Sequence, residues 1–505
     1  MIDWPRSQSY RRAVEGTLLT VDELIAGSGA AFGTSGLRGL ATSLTNSIVW
    51  GAVTGFLEFL RQEGEFHSGP VAVAGDLRES TPRLLQACAR AIRDAGGQPV
   101  FCGLIPTPAL AYYAFARGIP AIMVTGSHIP AERNGIKFHR SSREILKDDE
   151  AAILRQPVPV ERFRFTAGET LEAVARHPEA DLIADLYVSR YLDFFGSSTL
   201  QGLKIGVWQH SAVGRDMLIR TLRELGAVVV PLGRSESFVP VDTEAIPPDL
   251  RLQAKAWVKE HRLDAIVSTD GDSDRPMLAD QTGEWLRGDT IGLLCARELG
   301  AECVVTPISS STALERSSRF SRIIRTRIGS PYLISAMLAE RERRSGIVCG
   351  YEANGGFVLG STIERNGRVL TALLTRDAML PLLSVLTTLR GRTVSELCAE
   401  LPQRFTYSDR LRDFSNENSL EIVKQLAINA ADPQRSPLFK RLYSHCGDLL
   451  SVDQTDGVRM TFASGDIIHF RPSGNAPELR CYTESDSSAR AEKLNAFALD
   501  MARGS

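Results

Sequence analysis

Ser127 sits where the apolar run Ala121-Ile122-Met123-Val124 breaks into the polar turn Thr125-Gly126-Ser127-His128-Ile129-Pro130, with Asn134-Gly135-Ile136-Lys137 close behind. A strand that ends this way delivers a hydroxyl into a loop. Gly126 lets backbone approach closely, and His128 and Lys137 bring nitrogen donors that suit phosphate. A hydroxyl so placed can carry a phosphoryl group. A lone Ser-His pair reads more readily as an ordinary strand exit with a capping serine, so its company decides.

That company includes Asp270-Gly271-Asp272-Ser273-Asp274-Arg275, entered from Ala265-Ile266-Val267. Three carboxylates at alternate loop positions can converge on one point, and they would repel there without a cation. Oxygen ligands with no His or Cys nearby favour Mg2+ over zinc or copper. An EF-hand is excluded: its loop needs glycine at the sixth position and glutamate at the twelfth, and here those are Arg275 and Gln281. A third segment, Arg471-Pro472-Ser473-Gly474-Asn475-Ala476-Pro477-Glu478-Leu479-Arg480, brackets a Ser-Gly-Asn turn with two arginines and has the groups of an anion nest. In a fourth, Tyr351-Glu352-Ala353-Asn354-Gly355-Gly356, Glu352 and Asn354 on a glycine loop suit paired hydrogen bonds to vicinal hydroxyls. A fifth, from Phe32 to Gly39, joins flexible backbone to one arginine, Arg38. A phosphorylatable hydroxyl, a cation cage, a polyol reader and an anion clamp are together what phosphoryl transfer needs, because its catalysis is mostly positioning and charge neutralisation.

The elements that must hold these loops recur along the chain. Val71 to Ala74 leads through Gly75-Asp76 into a helical pattern from Leu84 to Ile92, then Gly96-Gly97 and another apolar segment. Leu203 to Val207 repeats the plan, with a helix from Asp216 to Leu225 and a strand at Val228 to Val230. A third copy starts at Cys303 to Val305, passes Ser309 to Ser311, and continues through a helix to Ile323-Ile324. Such repeats predict βαβ units, mainly parallel sheets and three related α/β domains. The last hundred residues differ. Val458 to Phe462 and Ile467 to Phe470 read as a hairpin, Leu479 to Tyr482 as a further strand, and Ser488 to Met501 as a closing helix, giving a smaller α+β domain. The expected domains are 1–175 with the serine loop, 176–285 with the acidic loop, 286–395 with the glycine loop and 396–505 with the arginine loop.

Bulk properties narrow the class. A net charge of -2 from 58 basic and 60 acidic residues argues against nucleic-acid or membrane-surface partners. No apolar run approaches the ~20 residues of a membrane span, and Met1-Ile2-Asp3-Trp4-Pro5 lacks the layout of a signal peptide. Eight dispersed cysteines without a C-x-x-C pair fit reduced thiols rather than zinc or disulfides. The expectation is a cytoplasmic protein with a small-molecule partner; the oligomeric state is left open.

With these motifs in this order from Phe32 to about Tyr482, the chain resembles the α-D-phosphohexomutase superfamily. The resemblance implies four domains around a central cleft, three related mixed α/β domains and a smaller α+β lid. It implies that Ser127 is the phosphoserine and that Asp270, Asp272 and Asp274 hold Mg2+ with a phosphoserine oxygen. Lys137 would be the general acid/base beside the transferring group; His128 and Arg38 would position that group, and Arg275 follows the metal loop as in the family. Glu352 and Asn354 would read sugar hydroxyls, while Arg471, Ser473, Gly474, Asn475 and Arg480 would hold the non-reacting phosphate. Departures are visible. Ile129 replaces the family's usual Asn, Asn475-Ala476 replaces Thr-Glu, and Glu-Ala-Asn-Gly-Gly replaces the commoner sugar loop.

The activity implied is exchange of hexose 6-phosphate and hexose 1-phosphate through a phosphoserine enzyme, with hexose 1,6-bisphosphate as intermediate and activator. Together with Arg327-Ile328-Gly329-Ser330-Pro331, the Glu-Ala-Asn-Gly-Gly loop resembles bacterial phosphomannomutase-type sequences and points to mannose phosphate. Glucose phosphate and then glucosamine phosphate are the alternatives. Other classes on the same inventory are a phosphatase with an aspartate nucleophile and a non-catalytic sugar-phosphate sensor.

Overall fold

Three sheets repeat one four-strand plan in the computed structural model, which describes residues 18–159, 180–343, 346–429, 437–473 and 477–503. In the first, Gly97–Leu104, Gly69–Gly75 and Ala121–Val124 lie parallel in that spatial order, and Arg133–His139 adds antiparallel to the last. The second sheet runs Val228–Arg234, Lys204–His210, Ala265–Thr269 and then antiparallel Pro276–Ala279. The third runs Arg322–Thr326, Cys303–Pro307, Val348–Tyr351 and then antiparallel Phe357–Leu359. Strands such as Ala121–Val124, Ala265–Thr269 and Cys303–Pro307 are buried along their whole length, as strands covered on both faces should be.

The plan is mainly parallel, as expected, but each copy ends in one antiparallel return that makes the sheet mixed, for a reason that matters. Parallel neighbours need a long crossover, whereas an antiparallel return needs only a short loop. In each copy the chain leaves the third strand and comes straight back. Those three reversals are the loops that hold Ser127, the aspartates and Glu352. The helix expected after Ser311 shrinks to Ala313–Arg316. Ser317 and Ser318 end it, with Ser318 in the left-handed region at φ 52, where serine's local hydrogen bonding competes with helix.

An apolar core running through Ala72, Tyr113, Ile205, Leu278, Val304 and Phe357 joins the three sheets. The C-terminal unit has its own core around Met460, Phe470 and Leu494. Its five strands, Phe405–Leu411, Leu479–Ser485, Ile467–Pro472, Val458–Phe462 and Leu449–Asp453, are all antiparallel neighbours in that order, and the helix Ser488–Arg503 packs on them. The expected hairpin, strand and closing helix are all present. Glu484 ties this unit to the third sheet by accepting from Arg404 Nε at 2.7 Å and from Thr312 N at 3.1 Å. All eight cysteines are free thiols. No helix among the described residues is long and apolar enough to cross a membrane.

One polar joint is buried inside the shared core. From the helix Ala180–Phe195, Tyr187 Oη donates to Asp377 Oδ1 at 2.7 Å and Tyr191 donates to the other oxygen. Met379 N donates to Asp377 Oδ1 as well, at 2.9 Å. Asp377→Ala strands two buried phenols and an amide, at about 1–3 kcal/mol each. Urea denaturation should register a loss of several kcal/mol; a change below 1 kcal/mol would mean that the joint is solvated or redundant.

Candidate active site

The strand Ala121–Val124 ends at Thr125, whose Oγ1 donates to Asp76 Oδ2 at 2.7 Å and accepts from Ser127 N at 2.8 Å. Ser127 itself adopts φ 55, an uncommon conformation for a residue with a side chain. What holds it there is Arg78. Its guanidinium donates to the carbonyls of Ser127 (3.0 Å), Ile129 (2.6 Å), Pro130 (2.6 Å) and Arg133 (2.8 Å), and to Asp76 at 3.2 Å. The Phe238 ring caps the guanidinium from the second domain at 3.9 Å. Gly126 is required by this packing, since a Cβ there would lie 2.6 Å from Arg78 Cζ.

Ser127 Oγ donates to Asp270 Oδ2 at 2.5 Å, so the hydroxyl and the acidic loop form one site. A side chain at Gly271 would strike Ser127 O at 2.8 Å, which is why the two loops can approach. Asp270, Asp272 and Asp274 are buried, and one oxygen from each lies within 4.8 Å of the others. Lys137, on the returning strand Arg133–His139, places Nζ 2.5 Å from both Asp272 Oδ2 and Asp274 Oδ2. Thr107 Oγ1 also donates to Asp272 Oδ2, at 2.5 Å. Asp272 Oδ1 and Asp274 Oδ1 are buried without a hydrogen-bond partner. Hard oxygens gathered this way, two of them orphaned, fit a divalent cation of the Mg2+ type.

Charge in this site is distributed unevenly. Burial, then repulsion from Asp272 and Asp274, pushes the Asp270 carboxyl up to about 8. Burial opposes ionisation of Asp274 too, but Arg376, Lys137 and Arg275 hold it far below the usual carboxylate range. His128 is kept well below its ordinary value by burial and by Arg275, Arg38 and Arg376. Its neutral Nδ1 accepts from Arg275 Nη1 at 2.8 Å and lies 3.5 Å from Ser127 Oγ. Arg38, on the strand Leu37–Leu40, is lowered to about 10 by desolvation and by Arg275 and Arg376, which still leaves it a cation at neutral pH.

The glycine loop joins the same site. Asn354 Oδ1 accepts from Gly356 N at 2.9 Å, and its carbonyl accepts from Thr243 Oγ1 at 2.8 Å. Glu352 Oε2 lies 3.4 Å from Arg376 Nη1, and Arg376 Nη2 lies 2.8 Å from Asp274 Oδ2. The arginine loop shows a different device. Strand register sets Arg471 opposite Arg480, and Arg480 opposite Arg410 on the next strand. Cross-strand partners share a face, and like charges opposite one another are destabilising. Asp456 reaches Arg471 at 2.9 Å, while Glu478 stays 3.8 Å from Arg410 and Arg480. This row of three suits an incoming anion. Ser473 N donates to Glu478 O at 2.9 Å; Gly474 and Asn475 lie outside the described residues.

Residues 29–157, 185–283 and 287–405 match the models of phosphoglucomutase/phosphomannomutase alpha/beta/alpha domains I, II and III, and residues 419–501 match the C-terminal domain. A phosphomannomutase of Salmonella muenchen is 43% identical over 469 residues, covering 93% of this chain and 95% of that protein. One of Sinorhizobium fredii is 44% identical over 475 residues, covering 93% and 98%. The chain belongs to the phosphoglucomutase/phosphomannomutase family. A family member from Burkholderia thailandensis has the same fold, with TM-score 0.70 at 21% identity over 93% of this chain and 97% of that one.

Sequence reading passed over Arg78, Arg376 and Arg410. Asp76-Leu77-Arg78 at the end of the strand Gly69–Gly75, and Thr375-Arg376-Asp377 ending the buried strand Leu373–Asp377, carry the same signal: charges at the end of an apolar run. For Arg410 the signal is strand register, which appears only on folding.

Asp270 also sets a pH dependence. A carboxyl with folded value near 8 keeps a proton that the unfolded chain releases near 4, so the folded state binds more protons between those limits. His128, His139, His210 and His469, held below their ordinary value by burial, pull stability the other way up to about pH 6.5, so the Asp270 effect is read above that. Stability of chelator-treated protein should fall from about pH 6.5 to 8, by up to ~1.4 kcal/mol per unit, and Mg2+ should flatten the decline. Melting temperatures from about pH 6.5 to 8 with EDTA and with Mg2+ check this; a rising profile in EDTA, or one that Mg2+ leaves unchanged, would contradict the cage.

Proposed function

We propose that this protein interconverts mannose 6-phosphate and mannose 1-phosphate with Ser127 as the phosphoryl carrier. The observation that carries the reading is the hydroxyl of Ser127 donating to Asp270 of a buried aspartate triad, in a chain whose relatives at 43–44% identity are phosphomannomutases. Asp270, Asp272 and Asp274 would hold Mg2+, which when bound supplies neutralising charge to the transferring phosphoryl group. Arg38 and Arg275 add fixed positive charge around the same point, with Lys137 close by, and His128 stays neutral beside it.

In the first half-reaction the Ser127 Oγ–P bond breaks and a bond from phosphorus to the free sugar hydroxyl forms. The hydroxyl proton is lost as Ser127 Oγ regains one, and Lys137 is the group that would shuttle it. The product is the hexose 1,6-bisphosphate. After it turns over, its other phosphoryl group returns to Ser127, so atoms and protons balance across the cycle. Such a site must hold a phosphate at its far end in both orientations. Arg471 and Arg480 serve that need with Ser473, Gly474 and Asn475, and charge rather than shape is the right recognition for a ligand that flips. Glu352 and Asn354 would read the hydroxyls common to both orientations.

Ser127→Ala should lower turnover by a thousandfold or more, about 4 kcal/mol of barrier. Acid-stable phosphate should appear on Ser127 of the wild type and not on aspartate; phosphoaspartate would instead favour a phosphatase. Assayed with added bisphosphate, mannose 1-phosphate should exceed glucose and glucosamine 1-phosphates in kcat/KM, and a preference for either of the others would redirect the substrate assignment.

Arg410 belongs to the phosphate grip by register. Arg410→Ala should raise KM roughly tenfold with kcat nearly unchanged, as expected for loss of one charge-assisted contact. A drop in kcat at constant KM would place Arg410 elsewhere in the cycle.

A further inference from the structure

The Arg376 guanidinium touches three of the functional loops. The strand Leu373–Asp377 that carries it is wholly buried. Nη2 is 2.8 Å from Asp274 Oδ2 of the metal loop and donates at 3.3 Å to Ser35 Oγ in the Arg38 loop. Nη1 is 3.4 Å from Glu352 Oε2 of the sugar loop, and Nε is 3.9 Å from Glu144 Oε1.

Its backbone is pinned on both sides. Thr375 Oγ1 donates to Glu144 Oε1 at 2.7 Å and Arg376 N to the same oxygen at 3.3 Å. Next along the chain, Asp377 is held by Tyr187 and Tyr191. Glu144 is fixed in turn by Ser330 Oγ at 2.8 Å. A planar fork on a fixed strand has little freedom except rotation toward one carboxylate or the other.

We propose that Arg376 is a positioning residue that couples hexose-phosphate binding to divalent-cation binding by sharing one guanidinium between Asp274 and Glu352. A cation that draws on Asp274 loosens that carboxylate's hold on Nη2. The guanidinium then commits to Glu352 and fixes it in the orientation that paired sugar hydroxyls need. Coupling between two sites is reciprocal, so a bound sugar that orders Glu352 leaves Asp274 freer for the cation. The inference rests on the functional reading above, because it takes Glu352 as a sugar contact and the triad as the cation site.

The test uses full-length protein carrying Ser127→Ala, which removes turnover, and measures binding rather than activity. Calorimetry gives the affinity for mannose 1-phosphate and glucose 1-phosphate with Mg2+ and with EDTA. In the Ser127→Ala parent, Mg2+ should tighten the preferred sugar phosphate by roughly 5- to 150-fold, the usual span of such coupling. Adding Arg376→Lys keeps the charge and removes the fork, and that ratio should fall to near 1 while Mg2+ and sugar phosphate each still bind. Arg376→Gln should do the same, and the lysine variant keeps the test open if the glutamine variant does not fold. Retention of the parent's ratio in Arg376→Lys would overturn the proposal, since the coupling would then be bulk charge. Absence of coupling in a parent that binds both ligands would overturn it also. A parent that binds no hexose phosphate at all would overturn the function proposed above and this inference with it.

Discussion

Everything in this molecule's centre answers to one electrostatic constraint. Three carboxylates are buried within 4.8 Å of one another, and such a cluster is tolerable only if positive charge surrounds it. That charge is drawn from the whole chain. Lys137 comes from the first sheet, Arg275 from the second and Arg376 from the third, while Arg38 adds its charge from the strand Leu37–Leu40, which pairs with the Lys137 strand in the first. None of these groups is near the others in sequence. The shared apolar core is what makes their convergence rigid, because a loose assembly would let water or a wandering carboxylate relieve the repulsion. The same concentration of charge that makes the aspartates hard to bury makes the spot suited to a transferring phosphoryl group.

The repeated strand plan explains how three unrelated loops meet at one point. In each sheet the third parallel strand turns back at once into an antiparallel fourth. The three reversals occupy equivalent places, so domains related by repetition present their variable loops toward a common centre. Serine, aspartates and glutamate are thus different fillings of one structural position. This also shows why the apolar strands must be featureless: Ala121–Val124 and Ala265–Thr269 contribute burial and direction, and all the chemistry begins at the residue after each of them.

Much of this was legible in the sequence because the signal is local. An apolar run that ends in Thr-Gly-Ser-His, or in Asp-Gly-Asp-Ser-Asp-Arg, declares strand, turn and reactive group within a dozen residues, and the folded chain brings Ser127, the triad, His128 and Lys137 together. What was not legible is pairing at long range. Arg78 acts on carbonyls some fifty residues away, and Arg376 joins Ser35 to Asp274 and Glu352. A buried arginine near the end of a hydrophobic strand marks that some partner exists without naming it. The Arg410–Arg480–Arg471 row is hidden for another reason: it depends on register, and a slip of one residue would turn every side chain to the other face. The short helix after Ser311 shows the reverse case: the strands Cys303–Pro307 and Arg322–Thr326 still pair in parallel as expected, but a serine-rich turn cuts the connecting helix to four residues.

Ile129, which departs from the asparagine that the family resemblance implies, illustrates why a departure from pattern need not reach the chemistry. The loop uses residue 129 through its carbonyl, which accepts from Arg78 Nη2 at 2.6 Å, and its side chain is partly exposed. Any residue supplies that carbonyl. The conformation of Ser127 is set by Thr125, Gly126 and Arg78, none of which depends on an amide at 129. The demanding positions are those that a backbone cannot replace: the guanidinium that gathers four carbonyls, the glycine that lets it pass, and the threonine that receives the serine's N–H. Phe238, which caps Arg78 from the neighbouring domain, extends the same logic across the interface. Ser127 is held by contacts from two domains, so a shift of the second domain would be felt at its hydroxyl even though no residue of the first had changed.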